Sequence, residues 1–172
     1  MNLRRVALLT GPLVLLWALQ TEVNHLLSSR QLFLFAGGLH VAFIALTQPF
    51  GPGLAAVLVG GLLCDAATPV AFGTHAALFG FAHNVIFRMR DRIPKDDTVA
   101  AALLALFANF GLFLAISVVL SPGGPAAWPR LAADLVCSQV IVALTTPWFF
   151  SLQGRLIDLV EAALALRAER LR

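Results

Sequence analysis

Residues 98–120, TVAAALLALFANFGLFLAISVVL, contain no charged side chain, and only Thr98, Asn109 and Ser117 are polar. A helix that crosses about 30 Å of hydrocarbon needs roughly 20 mainly apolar residues. This run is long enough, and its apolar side chains go all round the helix, so it predicts a transmembrane segment. The surrounding sequence repeats the signal. Further apolar runs cover about 6–20, 32–47, 53–67, 70–87 and 131–153, separated by turn chemistry at Ser28-Ser29, Gln48-Pro49-Phe50-Gly51-Pro52-Gly53, Thr68-Pro69, Ile93-Pro94 and Ser121-Pro122-Gly123-Gly124-Pro125. The expected fold is all-α: a single-domain polytopic membrane bundle of six transmembrane helices. Residues 154–172 form a short amphipathic tail that either continues helix six or lies along the membrane surface.

Composition points the same way. Of 172 residues 59% are hydrophobic and 12% charged, with a mean hydropathy of +0.87, against about 45–50% apolar and 25% charged in soluble domains. The third run is short for a crossing, so a re-entrant pair over 53–87, leaving four full crossings, is the structural alternative.

The net charge of +3 does not indicate a nucleic-acid partner, because the basic residues sit between apolar runs. In the six-helix arrangement one side holds Arg4, Arg5, Arg88, Arg90, Arg92, Lys95, Arg155, Arg167, Arg170 and Arg172, and the other only Arg30 and Arg130. The positive-inside rule then places both termini in the cytoplasm, N-in and C-in. The re-entrant variant gives the same sides. Residues 1–20 have the charged and apolar parts of a signal peptide without a small-residue cleavage site, and are expected to be a retained first helix.

Polar residues within apolar runs are where membrane chemistry would be found. They are Glu22, His40, Asp65, His75, His83, Asn84, Asn109, Ser117, Asp134, Ser138, Gln139, Thr145 and Thr146. Asp65 and Asp134 could form an intramembrane aspartyl dyad sharing a proton. The simpler reading has Asp65 capping an interfacial turn and Asp134 in the first turn of helix six, where the helix dipole favours it. His75 and His83 stand about 80° apart around a helix and have no carboxylate between them, so no metal site is expected. Cys64 and Cys137 lie in apolar runs outside any ligand spacing. No GxSxG or phosphate-loop pattern occurs, and neither a catalytic residue nor a cofactor is expected.

Small residues recur at one spacing in two segments: Gly53, Val57, Gly60, Cys64, and Gly73, Ala77, Gly80, Asn84. Such stripes let helix backbones approach closely, either within the bundle or against a partner. Thr10-Gly11-Pro12 and Thr145-Thr146-Pro147 predict kinks in helices one and six, with threonine hydroxyls available to freed backbone groups.

The stretch 53–94, GLAAVLVGGLLCDAATPVAFGTHAALFGFAHNVIFRMRDRIP, resembles the central signature of the MreD family of rod-shape-determining membrane proteins. The matching positions are Gly61-Leu62-Leu63, Asp65, Gly73, Ala77-Leu78 and the basic cluster Arg88, Arg90, Arg92. Cys64, and a helix four made more polar by His75, His83 and Asn84, depart from the pattern. The resemblance implies a noncatalytic component of the bacterial cell-elongation and peptidoglycan-synthesis machinery in the inner membrane. Its implied partners are membrane lipid and MreC, and through MreC the MreB filament, RodA and the elongation transpeptidase. The residues expected to meet a partner are Gly60, Gly61, Asp65, Gly73, Ala77 and Gly80, with Arg88, Arg90 and Arg92 as a cytoplasmic basic loop. The family fold is similar to that of substrate-binding subunits of vitamin transporters. A small-molecule binding subunit, with a polar cavity built from His75, His83, Asn109 and Asp134, is therefore the alternative.

Overall fold

A computed structural model of the chain describes residues 3–93, 97–120 and 128–169. Among these it is all-helical: α1 (Leu3–Leu27), α2 (Gly37–Thr47), α3 (Phe50–Ala67), α4 (Thr74–Met89), α5 (Thr98–Leu120) and α6 (Trp128–Glu169), with single 3-10 turns at Ser28–Arg30 and Arg90–Arg92. Three helices are long and apolar enough to cross a membrane, at Phe50–Ala67, Thr98–Val119 and Trp128–Leu159, and α2 is a shorter apolar helix.

Residues 98–120 form the helix expected of them, while other bounds move. The first helix continues to Leu27, and the third begins at Phe50 and reaches Ala67, which gives it about 27 Å of rise. The helical tail is not separate, because α6 runs unbroken through Glu169. The turn at residues 121–125 and the residues Pro94, Lys95, Arg170 and Arg172 lie outside the described residues.

The largest correction is in the second segment. Helix is expected from residue 32, yet residues 32–36 are non-helical and α2 starts at Gly37. Apolar runs this short are ambiguous between helix and extended backbone. Here side chains from other helices supply the hydrogen bonds that a helix would have made.

α2 sits at the centre. Every residue from Gly37 to Ala45 is buried, and its side chains join those of α1, α3, α4, α5 and α6 in one core that includes Leu9, Val57, Phe79, Phe113 and Phe149. Phe43 meets Phe149 and Phe150 edge-on at 5.9 and 5.2 Å between ring centroids, a favoured aromatic arrangement. Around this centre the outward faces stay apolar: Leu15, Phe81, Phe107, Val118, Leu144 and Trp148 are each exposed. An apolar exterior around a partly polar interior is the arrangement that lipid rather than water favours.

Pro147 lies within α6 and removes the amide that would bond the Ala143 carbonyl. The threonine hydroxyls do not take up that carbonyl. Thr145 Oγ1 donates to the Ile141 carbonyl at 2.7 Å and Thr146 Oγ1 to that of Val142 at 2.6 Å, one turn back in each case.

Candidate functional site

Asp65, His75, Asn109, Asp134 and Ser138, all buried, gather into two constructions that hold backbone in place, while the buried His40 and His83 belong to neither. The first joins α3 to α4. Asp65, 4% exposed at the end of α3, accepts hydrogen bonds from the backbone amides of Gly73 (2.9 Å), His75 (2.8 Å) and Ala76 (3.3 Å). These are among the first amides of α4, which have no partner within the helix. The His75 ring adds a fourth contact, with Nδ1 2.8 Å from Asp65 Oδ1. An ionised carboxylate can only accept, so Nδ1 carries the proton. Gly73, the N-cap, has φ +99°, a left-handed conformation that glycine adopts without a Cβ clash.

Close helix contact completes this junction. A Cβ on Gly61 would collide with the backbone of Ala76, and one on Gly60 with the Leu13 side chain of α1. A Cβ on Gly80 would lie 3.0 Å from a Leu58 methyl. Gly60, Gly61 and Gly80 thus face neighbouring helices of their own bundle, and Asp65 turns inward. Among the residues expected to meet a partner, Ala77 is exposed and Gly73 is half-buried.

The second construction surrounds residues 32–36. The Phe33 amide donates to Asp134 Oδ1 (2.8 Å), Leu34 to Asn24 Oδ1 (2.6 Å), Phe35 to Ser138 Oγ (3.0 Å) and Ala36 to Gln20 Oε1 (3.0 Å). Asn24 Nδ2 returns a bond to the Leu34 carbonyl and Asn109 Nδ2 one to that of Phe35, both at 2.9 Å. Asn109 Oδ1 also accepts from the Gly38 amide at 3.1 Å. Buried irregular backbone needs partners for its amides and carbonyls, and side chains from α1, α5 and α6 supply them here.

Several readings of single residues change accordingly. Asp134 is not in the first turn of α6, which starts at Trp128; its carboxylate holds the Phe33 amide. Asp65 and Asp134 bind different backbone segments, and no hydrogen bond between them occurs among the described residues. His75 is bound to Asp65, Asn109 to residues 35 and 38, and Asp134 to residue 33, so these three do not converge on one ligand. His83 lies between Phe50 and Phe87, at 5.7 and 5.8 Å between ring centroids, with Gly53 against its Nε2. His40 packs edge-on to Phe149. No group of three or more potential metal ligands occurs among the described residues.

Two cavities adjoin these parts. One of about 60 Å³ lies among Leu13, Gln20, Phe33, Cys64 and His75, against roughly 300–1,000 Å³ for small-molecule sites. It has room for a few waters. The other, of about 470 Å³, opens between α4 and α5 and is lined by apolar residues.

The basic cluster divides in two. Arg90 reaches back to the end of α2, donating through Nη1 to the Gln48 carbonyl at 2.9 Å, with its guanidinium carbon 3.8 Å from the centre of the Phe87 ring. Arg88 and Arg92 are exposed, Arg88 donating to Asn84 Oδ1 at 3.3 Å.

Sequence reasoning missed Gln20 and Asn24, whose polarity passes for an ordinary helix end. A signal was present in their spacing, which puts both on one face of α1. Comparison with protein-family models, curated proteins and solved structures finds no match for this chain.

Proposed function

We propose that this chain is a noncatalytic, multi-pass component of the bacterial cell-elongation machinery in the cytoplasmic membrane. In this reading it crosses six times with both termini inside and docks partner membrane proteins against its lateral helix faces. One observation carries the proposal: Asp65, Asn109, Asp134 and Ser138 all hold the chain's own backbone, and the His75 ring is bound to Asp65. A rigid bundle with an apolar exterior suits a scaffold better than a site for chemistry.

The short α2 is compatible with a crossing. Eleven helical residues rise roughly 17 Å at 1.5 Å each, and the five non-helical residues before them add at most about 16 Å, so the segment reaches up to about 33 Å against about 30 Å of hydrocarbon. The distribution of arginine and lysine supports the cytoplasmic placement of both ends.

The resemblance over 53–94 names MreC as the direct partner, and MreB, RodA and the elongation transpeptidase as partners through it. Because Gly60, Gly61 and Gly80 face inward, the docking face on α3 and α4 is assigned to their outward residues, Leu62, Leu63 and Ala77. The transporter-subunit alternative draws less support: the cavity beside His75 is small, and three of the four side chains required for its ligand are engaged elsewhere.

Co-purification of the tagged chain from its host membrane tests this reading. MreC or an elongation synthase is expected with the wild type and is lost with Ala77→Trp at unchanged insertion. Recovery of the ATPase-coupled subunits of a transporter would overturn the proposal.

A further inference from the structure

α4 packs closely on α3, and α5 on α2, while α4 and α5 touch each other over a much smaller area. Between them runs the cleft of about 470 Å³, with Phe81, Val85 and Met89 on one wall and Leu104, Phe107 and Gly111 on the other. Phe81 and Phe107 are 69% and 72% exposed, so they form outward lips. At Gly111 an added Cβ would have no neighbour within 4 Å, which leaves the α5 wall open there.

One end of the cleft differs from the rest. Met89 ends α4, and the turn Arg90–Arg92 follows directly. Arg88 lies two helical turns beyond Phe81 and on nearly the same line along the helix. Arg88 and Arg92 are exposed and make no ion pair among the described residues. Arg90 is turned to Gln48 and Phe87, with the exposed Asp91 carboxylate 3.8 Å from its Nε. Asp97 is occupied in accepting from the Val99 amide at the start of α5.

We propose that this cleft binds an anionic phospholipid, with an acyl chain along the α4–α5 furrow and the phosphate at Arg88 and Arg92. The furrow wall of Phe81, Val85 and Met89 leads along α4 to Arg88 and to the turn that carries Arg92, neither of them ion-paired among the described residues, which matches an acyl chain followed by a negatively charged headgroup. Basic side chains near a membrane surface attract anionic lipid. The inference uses the membrane placement of the chain and is independent of its role in elongation.

Native mass spectrometry of the full chain, titrated in detergent with dioleoyl phosphatidylglycerol or dioleoyl phosphatidylcholine, tests it. The wild type is expected to retain phosphatidylglycerol with a roughly 10-fold preference. Arg88→Gln with Arg92→Gln should remove the preference while lipid of either kind still binds. Gly111→Phe, which fills the furrow, should remove retention of both at unchanged thermal stability; Ala115→Leu carries the same expectation should Gly111→Phe fail to insert. Equal retention of the two lipids by the wild type would overturn the proposal. So would wild-type retention in the filled variants, including the case in which they lose a co-purifying membrane protein, since the furrow would then belong to a partner helix.

Discussion

The α3–α4 junction and the non-helical segment at 32–36 solve the same problem in opposite ways. Both must satisfy backbone amides away from water, where an unpaired group costs free energy. At the junction one carboxylate serves amides eight to eleven residues away. Around the non-helical segment Gln20, Asn24, Asn109, Asp134 and Ser138 converge from three helices, over separations as large as 103 residues. The first is a local motif. The second exists only once the helices have assembled, so its loss should loosen the whole bundle, whereas loss of the first should act on α4.

Replacing Asp65 by Ala should have the largest effect, because it leaves two buried amides and the half-buried one of Gly73 without their acceptor. A loss of about 3 kcal/mol or more is expected in denaturant unfolding from mixed micelles. Asp65→Asn should fall in between, since its amide retains a single acceptor oxygen. Asn109→Ala leaves the Gly38 amide and the Phe35 carbonyl unpaired and should cost about 2 kcal/mol. Hydrogen exchange distinguishes the two constructions: Asp65→Ala should open the start of α4, and Asn109→Ala should expose residues 33–38 together with their contacts on α1 and α6. If both variants give the same exchange pattern, the division into a local and a dispersed construction is wrong.

Gly73→Ala should cost about 1–2 kcal/mol, the penalty for an L side chain in the left-handed region, read from the same unfolding curves. Ser138→Ala should be the mildest, at about 1 kcal/mol, because of its two neutral hydrogen bonds the one to the Asp134 carbonyl leaves an acceptor that helix α6 already serves. Ser138 and Asn109 both bind Phe35, one at its amide and one at its carbonyl. Their double variant is therefore expected to lose less than the two single losses combined, and strict additivity would show that they act independently.

This contrast also explains what could be read from the sequence. Residues 98–120 are legible because lipid demands apolar residues all round a helix, and that demand is written locally. Asp65 is legible as a cap, and the Gly61, Asp65 and Gly73 pattern has a local physical meaning: close approach to Ala76, amide capping, and positive φ. The non-helical segment is not legible, because Leu32, Phe33, Leu34 and Phe35 suit an apolar helix equally well and the partners of the segment lie on three other helices. The same dispersion made Asn109 and Asp134 candidates for a cavity. Arg90 resembles its two neighbours in sequence, and only the placement of Gln48 at the end of α2 separates it from them.

The most direct test asks whether Asp65, Asp134 and Ser138 serve folding rather than chemistry. Rod shape would be scored in an elongation-deficient host carrying the wild type, Asp65→Asn, Asp134→Asn or Ser138→Ala, with inserted protein quantified in the same cells. The expected result is that the wild type restores rod shape and each variant does so in proportion to the amount inserted. A variant that inserts at the wild-type level and restores nothing would contradict the structural role assigned to these residues.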